Sequence, residues 1–441
     1  MTPHINICFR CLVSAMIFCL HAAAQPQSSG IAEIVQAETP ELIALYQQLH
    51  QHPELSEQEK ETSRLLADEL RALGFDVTER VGGYGVVGVM ENGDGPVVMV
   101  RTDMDALPIE ELTNVPYASK TPGVMHACGH DVHMTVWKGT ASVVSKLRDR
   151  WRGTVVFVAQ PAEETGIGAK AMLADGLFTR FPRPDYALAL HVSSTLPAGT
   201  VGYHAGMFLA SIDNLHIAVK GRGGHGAAPQ QTIDPIVLTS KIVLSLQSII
   251  SREIAPTEPA VISVGSIHGG SRSNIIPSEV ELALTVRTFE DQTRQHLLNA
   301  IKRVCDGEAH AAGLTPEEYP QIKHDGEFFP SMYNDPKLTA QLASVFRQTL
   351  GEQHVLELPR ELVGEDFARY GREQPPIPTM IYSLGTVHPD RVAAAAAGQL
   401  ILPPLHGSLY VPEPGPSIPT GVKTMSAAVL SLLQPKQTDR R

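Results

Sequence analysis

The chain has 441 residues, of which 43% are hydrophobic, and a formal net charge of −12. This length is sufficient for two domains with substantial cores. The acidic balance and the lack of dense lysine and arginine runs argue against nucleic acid or an anionic membrane surface as a partner.

The first 24 residues have the pattern of a secretory signal peptide. Arg10 precedes a ten-residue apolar run, 11–20, and an Ala-x-Ala ending places the expected cleavage after Ala24. The run is short for a bilayer span, and an uncleaved anchor is the alternative. We therefore expect a periplasmic or secreted protein that makes no membrane contact after cleavage.

The next part of the chain alternates helical and strand patterns. A polar linker is expected over residues 25–40 and the first segment of the main domain over 41–207. Periodicity predicts helices at 42–51, 57–73 and 131–147 and strands at 85–90, 97–101, 154–160 and 186–191. Continuous apolar strands such as 154–160 favour an α/β fold with parallel strands, in which ligands bind at the strands' carboxyl ends.

The pattern changes over residues 208–318. A strand, a helix, two strands and a helix follow one another there, which predicts a compact α+β insert of the ferredoxin-like type. Residues 319–436 return to the α/β pattern and are expected to form the second segment of the main domain, which the later motifs identify as the catalytic one. The fold class is therefore α/β, a mixed-sheet α/β/α domain with an inserted α+β domain.

The stretch at 125–133 reads Met-His-Ala-Cys-Gly-His-Asp-Val-His. Cys128 and His130 are separated by one glycine, so a tight loop can direct both side chains at one ion. Thiolate and imidazole suit zinc or a similar transition metal. A polar surface loop is the alternative interpretation.

Only Cys128 and Cys305 lie outside the predicted signal peptide. In an oxidising compartment they could form a disulfide. We favour a metal thiolate for Cys128 and a small core residue for Cys305, which lies in an amphipathic helical pattern.

Other candidate ligands follow predicted strands or lie in loops. They are Asp103, Asp105, Glu163, Glu164, His191 and His406. Taken singly, a strand-end histidine is more often a capping or core residue, and a glutamate pair is usually a solvated turn. Adjacent carboxylates in a turn point in different directions, so one can bind a metal while the other serves as general base for a metal-activated water. The residues alone leave open which glutamate has which role.

Seven motifs together resemble the M20 metallopeptidases. They are His-Gln-His-Pro-Glu-Leu (50–55), Arg-Thr-Asp-Met-Asp-Ala-Leu-Pro (101–108), His-Ala-Cys-Gly-His-Asp (126–131), Pro-Ala-Glu-Glu (161–164), Gly-Gly-His-Gly-Ala (223–227), Asn-Ile-Ile-Pro (274–277) and Gly-Glu-Asp-Phe (364–367). The chain is most similar to the D-type amidohydrolases, which include hippurate hydrolases, N-acyl-amino-acid amidohydrolases and auxin-conjugate hydrolases. The resemblance covers residues 42–433.

The resemblance implies a dinuclear centre of two divalent ions, zinc or manganese, with Cys128 as the bridging ligand. It implies Glu163 as general base, and Asp103 and Asp105 as residues that orient the ligands. His126 and His133 are not ligands in the family. The remaining ligands implied are His130, Glu164, His191 and His406.

The insert resembles the family's dimerisation domain, which implies a homodimer. His225, Asn274 and Arg287 match positions that bind the carbonyl or carboxylate of the substrate, and His225 would reach into the partner's site. Such a donor aimed at a developing oxyanion contributes about 3–4 kcal/mol. A surface charge at a strand edge is the alternative for Arg287.

The chain departs from the family pattern in two places. The family usually has Leu-His-Ser-Pro or Leu-His-Asn-Pro at the last ligand, whereas this chain has Leu-His-Gly-Ser at 405–408, so His388 competes with His406 as the last ligand. His204 replaces an arginine that many members carry before the insert.

The leading functional hypothesis is a metal-dependent amidohydrolase that cleaves the amide bond of N-acyl amino acids. A metallo-carboxypeptidase or dipeptidase with the same centre is the near alternative, acting on a small peptide. A non-catalytic periplasmic protein that binds a metal or ligand is the alternative from another class.

Overall fold

A computed structural model describes residues 26–435 of the chain. The predicted signal peptide lies outside this range. Within it, no helix is long and apolar enough to cross a membrane.

The first segment alternates helices and strands. Its helices are α1 (Pro26–Gln51), α2 (Lys60–Ala72), α3 (His130–Lys146), α4 (Gly168–Ala174) and α5 (Leu177–Arg180). Its strands are β1 (Asp76–Val81), β2 (Gly85–Glu91), β3 (Val97–Asp103), β4 (Trp151–Arg152), β5 (Thr154–Gln160), β6 (Tyr186–Pro197), β7 (Val201–Tyr203) and β8 (Gly206–Leu209).

Helix α1 corrects the prediction of a linker over residues 25–40. It runs unbroken through Pro40, and Ile31 and Val35 are buried in the main core together with Leu42. The spacing of these residues places them on one face of a helix. A proline inside a helix removes a backbone hydrogen bond, so the sequence around Pro40 does not predict a continuous helix. Burial of the apolar face nevertheless keeps the segment helical.

The insert contains a four-stranded antiparallel sheet covered by two helices. Its strands are β9 (Ser211–Lys220), β10 (Gly224–His225), β11 (Ala260–Gly269), β12 (Ile275–Ile276), β13 (Glu279–Thr288) and β14 (Gln321–His324), and its helices are α6 (Pro235–Glu253) and α7 (Asp291–Ala311). The sheet order is β11-β13-β9-β14.

Strand β14 shows that the predicted end of the insert at residue 318 is wrong. It pairs antiparallel with β9, from Gln321 opposite Ala218 to His324 opposite Leu215. This sixth element completes the β-α-β-β-α-β order of a ferredoxin-like domain. Its four residues are mostly exposed, so they lack the buried-strand pattern.

The last segment returns to the main domain. Its elements are β15 (Met332–Asn334), α8 (Pro336–Leu350), β16 (Val355–Glu357), α9 (Ala368–Gly371), β17 (Thr379–Val387), α10 (Pro389–Ala396), α11 (Pro414–Leu432) and β18 (Gln434–Pro435). Strand β17 is buried along its whole length because it lies between β6 and β7 in the large sheet.

The main sheet has eight strands in the order β1-β2-β5-β3-β6-β17-β7-β16. Its central strands β5, β3, β6 and β17 are parallel, whereas β1, β2 and β7 join by antiparallel pairing. On β5, Val155 and Phe157 face the core formed with α1, α2, α3, α8 and α11, while Val156 and Val158 face the core formed with α4, α5 and α9. This period-two alternation produces the three-layer α/β/α domain that the sequence predicts.

Candidate metal centre and substrate cleft

The carboxyl ends of the central strands bring the predicted site residues to one edge of the main sheet. Strand β3 ends at Asp103, β5 ends three residues before Glu163, and β6 contains His191. Helix α3 begins at His130, which follows Cys128 by two residues. Parallel strands present their carboxyl ends at the same edge, which explains why residues far apart in the chain meet.

Five potential metal ligands converge there. The separations between neighbouring ligand atoms are 3.4 Å from Cys128 Sγ to His191 Nε2, 3.3 Å from Cys128 Sγ to His406 Nε2, 3.5 Å from His406 Nε2 to Glu164 Oε1, and 3.8 Å from His130 Nε2 to Glu164 Oε1. These residues form two groups of three, and Cys128 belongs to both. One group adds His130 and His191, and the other adds Glu164 and His406. Within each group all ligand atoms lie within 4.8 Å of one another.

Gly129 allows Cys128 and His130 to flank one tight turn. Its φ of +77° lies in the left-handed region, and a Cβ atom there would lie 2.6 Å from Val192 Cγ2. Both facts favour glycine at this position.

Buried polar atoms in this cluster fit a bound cation. His130 Nε2 and Glu164 Oε1 are buried and have no hydrogen-bond partner within residues 26–435. Unpaired buried polar atoms are costly, and a metal ion would satisfy both. Thiolate, imidazole and carboxylate are also the donor types that zinc accepts.

The ionisation of the site supports the same interpretation. Burial raises the pKa of the Cys128 thiol well above its usual value, and the carboxylates of Glu164 and Glu163 raise it further. Burial also raises the pKa of Glu163, with added repulsion from Glu365 and Glu164. A cation among these groups would oppose both effects, because it favours the charged forms.

Hydrogen bonds at the edge of the site fix the tautomers of two histidines. His191 Nδ1 lies 2.8 Å from the carbonyl oxygen of Val192; a carbonyl only accepts, so Nδ1 carries the proton and Nε2 is free to bind a metal. His133 Nε2 accepts from the Val192 amide at 2.9 Å, and its Nδ1 lies 2.7 Å from Asp103 Oδ1. Both nitrogens of His133 are therefore engaged, which leaves none for a metal.

His126 is not one of the clustered ligands. It is buried, neither ring nitrogen has a hydrogen-bond partner among the described residues, and burial lowers its pKa to about 4. It belongs to none of the candidate ligand groups.

Asp105 holds the turn that carries the two glutamates. Its Oδ1 accepts from the Glu163 backbone amide at 3.1 Å, and its Oδ2 accepts from the Glu164 amide at 2.9 Å and from Ser56 Oγ at 2.7 Å. Ala162, just before the pair, has a φ of +52°, a conformation that costs energy in a residue other than glycine. Asp105 therefore stabilises the strained backbone of the turn, and through it the positions of both glutamates.

A buried ion cluster lies next to this turn. Arg101 Nη1 binds Asp103 Oδ2 at 2.7 Å, and its Nη2 lies 2.9 Å from Asp366 Oδ1 and 3.0 Å from Glu365 Oε1. All four side chains are almost completely buried. The sequence motifs contain these residues, but nothing in their spacing predicts that Arg101 meets two acids 264 and 265 positions away, at 365 and 366.

A cleft of about 660 Å³ opens on the cluster. Its walls come from the main domain and from the insert, which contributes Ile212, Asn214 and Arg287. Arg287 Nη1 donates to the carbonyl oxygen of Leu362, and burial lowers the pKa of its guanidinium. Among the three residues predicted to bind substrate, Arg287 is the one that lines this cleft.

The other two residues predicted to bind substrate lie elsewhere. His225 is exposed on β10, which pairs with β12 next to Asn274. The two are joined through the Gly226 amide, which donates to the Asn274 carbonyl oxygen at 2.9 Å. Neither lines the cleft of the same chain, so within one subunit the structure does not bring them to the site.

His406 lies in a turn that is hydrogen-bonded to the loop containing Cys128. Its φ is +60°, and its amide donates to the Ala127 carbonyl oxygen at 2.9 Å. His388 instead caps α10, where it accepts from the Asp390 amide and is half exposed. Of the two candidates for the last ligand, His406 and His388, only His406 joins the cluster.

His204, the other departure from the family pattern, lies outside the cluster. Its Nδ1 atom lies 2.7 Å from the carbonyl oxygen of Leu358, and its ring stacks on Phe208.

Cys128 and Cys305 are free and buried. Cys128 lies in the cluster, and Cys305 packs in the insert core. The alternative disulfide between them is not formed.

This fold and donor cluster define a metallohydrolase with an inserted domain, and comparisons with known proteins agree. Residues 99–397 match peptidase family M20/M25/M40. N-acetylcysteine deacetylase of Bacillus subtilis is 37% identical over 355 residues, which cover 78% of this chain and 88% of that protein. Thermostable carboxypeptidase 2 of Saccharolobus solfataricus is 37% identical over 349 residues, covering 78% and 86%.

A solved structure extends the likeness to the fold. The Bacillus subtilis YXEP protein, a dinuclear metal-binding peptidase of the M20 family, superposes with a TM-score of 0.73 at 31% identity, covering 90% of this chain and 100% of that one. The chain belongs to peptidase family M20/M25/M40. It is a metal-dependent hydrolase that acts on amide or peptide bonds, and its similarities support the amidohydrolase group.

Proposed function

We propose that the protein hydrolyses the amide bond of N-acyl amino acids, with Glu163 as the general base. One observation supports this most directly: Glu163 lines the cleft, and its carboxylate lies within 4.8 Å of the ligand atoms of His130 and Glu164. A base in that position can reach a water held beside the metal ligands. The N-acetylcysteine deacetylase relative supports this substrate class.

Each part of the site has its own role in amide hydrolysis. Divalent ions held by the cluster would acidify water and polarise the substrate carbonyl. Glu163 accepts a proton from the attacking water and delivers it to the leaving nitrogen, so that one water yields a carboxylic acid and an amine. Arg287 binds the carboxylate of the amino acid and fixes the amide near Glu163.

The variant Glu163→Gln tests whether Glu163 is the general base. We expect turnover to fall by about 10²–10⁴-fold, the usual contribution of a general base, while metal content and the circular dichroism spectrum stay unchanged. Glu357→Gln is the control, because Glu357 is exposed and lies outside the cleft. Normal turnover of Glu163→Gln with its metals bound would show that another group is the base.

A carboxypeptidase or dipeptidase activity is the second candidate. It is supported by the carboxypeptidase of S. solfataricus, which is as similar to this chain as the deacetylase. Hippurate, N-acetyl amino acids and dipeptides, assayed side by side with metal-replete protein, separate the two activities. No turnover of any of these would favour a non-catalytic binding protein.

We propose two divalent ions per subunit, zinc or manganese. The two ligand groups that share Cys128 support this number, as does the dinuclear B. subtilis structure. The thiolate favours a softer ion such as zinc, whereas imidazole and carboxylate accept both. Elemental analysis of protein purified without added metal tests both the number and the identity.

We also propose a homodimer formed through the insert. Strand β11 is an edge of the insert sheet and exposes Ile267, while α6 exposes Val237 and Leu244. An open edge beside apolar side chains is suited to association. Leu244→Lys should convert a dimer to a monomer in light scattering; a monomeric wild-type protein would refute the proposal.

Export is proposed from the sequence of residues 1–24 alone. Expression with and without these residues, followed by cell fractionation, tests it. We expect the full-length protein outside the cytoplasm with an amino terminus at Gln25, and the shortened protein inside.

A further inference from the structure

Glu361 lines the same cleft as Arg287, Glu163 and His191. Its backbone is fixed by two hydrogen bonds: its amide donates to the Phe208 carbonyl oxygen at 2.9 Å, and its carbonyl oxygen accepts from the Ala210 amide at 3.1 Å. The side chain therefore projects from a firmly held segment of the cleft wall. Such a segment can place a charge with little loss of conformational entropy on binding.

The carboxylate of Glu361 has no partner of its own. Among residues 26–435, no lysine, arginine or histidine nitrogen forms an ion pair with it, and its side chain makes no hydrogen bond. Arg287 is bound to the neighbouring Leu362 carbonyl oxygen instead. Glu361 is exposed at the cleft, so its carboxylate is open to solvent and available to a ligand.

The charge of Glu361 is not neutralised by another residue of the cleft. The cleft wall partly desolvates its carboxyl group and raises the pKa. The pKa of Arg287 is lowered by burial alone, without an opposing carboxylate. Opposite charges that share a cleft without neutralising each other are both free to act on a substrate.

We propose that Glu361 is a specificity-determining residue that selects substrates carrying a positive charge in addition to the carboxylate bound by Arg287. This inference rests on the proposed amide hydrolysis and narrows its substrate class to zwitterionic amides. Glu361 would attract the cation and repel a carboxylate, and so would also prevent the substrate from binding in the reverse direction.

The cation could come from either side of the scissile amide. On the acyl side it would be the free α-amine of an aminoacyl group, which makes the substrate a dipeptide. On the other side it would be the side chain of a basic amino acid. The chemistry recognised at Glu361, an ammonium or guanidinium group, is the same in both cases.

Two matched pairs of substrates distinguish these sources. Glycyl-leucine and propionyl-leucine have nearly the same shape and differ by the acyl-side ammonium group. Nα-acetyl-lysine and Nα-acetyl-norleucine differ by the side-chain ammonium group. For each pair, the ratio of kcat/KM for the charged substrate to that for the neutral one is measured in the wild-type, Glu361→Gln and Glu357→Gln proteins.

We expect Glu361→Gln to lower the ratio for one pair by about tenfold, the effect of losing one charged hydrogen bond, and Glu357→Gln to leave it unchanged. The pair that responds identifies the source of the cation. If Glu361→Gln leaves both ratios unchanged, the inference is wrong although the proposed hydrolysis stands.

Measurements of substrate binding test this inference independently of the proposed function. If the wild-type protein hydrolyses neither these four compounds nor hippurate, the proposed function fails, and calorimetry still tests the charge preference. In metal-loaded Glu163→Gln protein, adding Glu361→Gln should weaken binding of the charged member of a pair by about tenfold and spare the neutral one. Equal affinities for charged and neutral members in the Glu163→Gln protein would overturn the inference by themselves.

Discussion

The Oδ2 atom of Asp105 lies 2.9 Å from the backbone nitrogen of Glu164. The same carboxylate accepts from the amide of Glu163 through Oδ1. One side chain at the end of β3 thus fixes the turn that presents both the candidate base and a candidate metal ligand. Correct placement of both glutamates depends on a residue that touches neither carboxylate.

Asp105→Asn should therefore impair the centre without removing a ligand. An asparagine offers one oxygen and one amino group, so one of the two backbone amides would face a donor and lose its partner. We expect kcat/KM and metal affinity each to fall by about 10–100-fold, measured by steady-state kinetics and metal titration. Ser56→Ala, which removes only the hydroxyl donor to Asp105, should have a smaller effect; an equal effect would contradict this role.

Arg101→Met should destabilise the protein. It removes the cation that faces Asp103, Glu365 and Asp366 in the buried cluster, and an unpaired buried charge costs about 3–5 kcal/mol. Urea denaturation measures the loss. Arg71→Met is the matched control, because Arg71 pairs with Asp68 and Glu79 at the surface, where such pairs contribute about 0–1 kcal/mol. Similar losses for both variants would refute a special role for Arg101.

His50 should make stability depend on pH between about 6.5 and 9. Burial opposes its charge, but hydrogen bonds to Asp131 and Glu111 outweigh burial and raise its pKa from 6.5 to about 9. The folded protein therefore binds the proton more tightly than the unfolded chain. This stabilisation is complete below the unfolded pKa and is lost as the pH rises through 9.

The neighbours of His50 do not change charge in that window. The pKa of Glu111 is lowered to about 2 and that of His126 to about 4, whereas those of Tyr46 and Tyr117 are raised above their usual value of 10. The difference in unfolding free energy between wild-type and His50→Gln proteins should shrink by about 3 kcal/mol from pH 6.5 to above pH 9. A constant difference across urea titrations at these pH values would contradict the prediction.

His406→Ala and His388→Ala separate the two candidates for the last ligand. His406 Nε2 lies 3.3 Å from Cys128 Sγ, whereas His388 caps a helix. We expect His406→Ala to lose kcat/KM by at least about 100-fold, more than the loss of an outer-shell partner, and to retain less metal in elemental analysis. His388→Ala should retain both. Loss of metal from His388→Ala alone would reverse the assignment.

Local patterns in the sequence predicted much of the architecture. The strand at 154–160 and the helix that begins near His130 occur as expected, because a continuous apolar run and a 3.6-residue period are properties of adjacent residues. Elements that depend on distant partners were harder to predict. The first half of α1 and the exposed strand β14 are stabilised by packing and pairing with residues far along the chain, which no local pattern reports.

The sequence by itself determined the chemical types of the site: a thiol, imidazoles and carboxylates at the ends of strands, in motifs that identify the family. Only the tertiary structure decided which of them meet. It placed His406 rather than His388 beside Cys128, left His225 and Asn274 outside the cleft of their own chain, and put the unpaired Glu361 inside it. The physical reason is that ligand identity is a property of single residues, whereas a metal site and a charged cleft require strand ends and loops from distant parts of the chain to meet within a few ångströms.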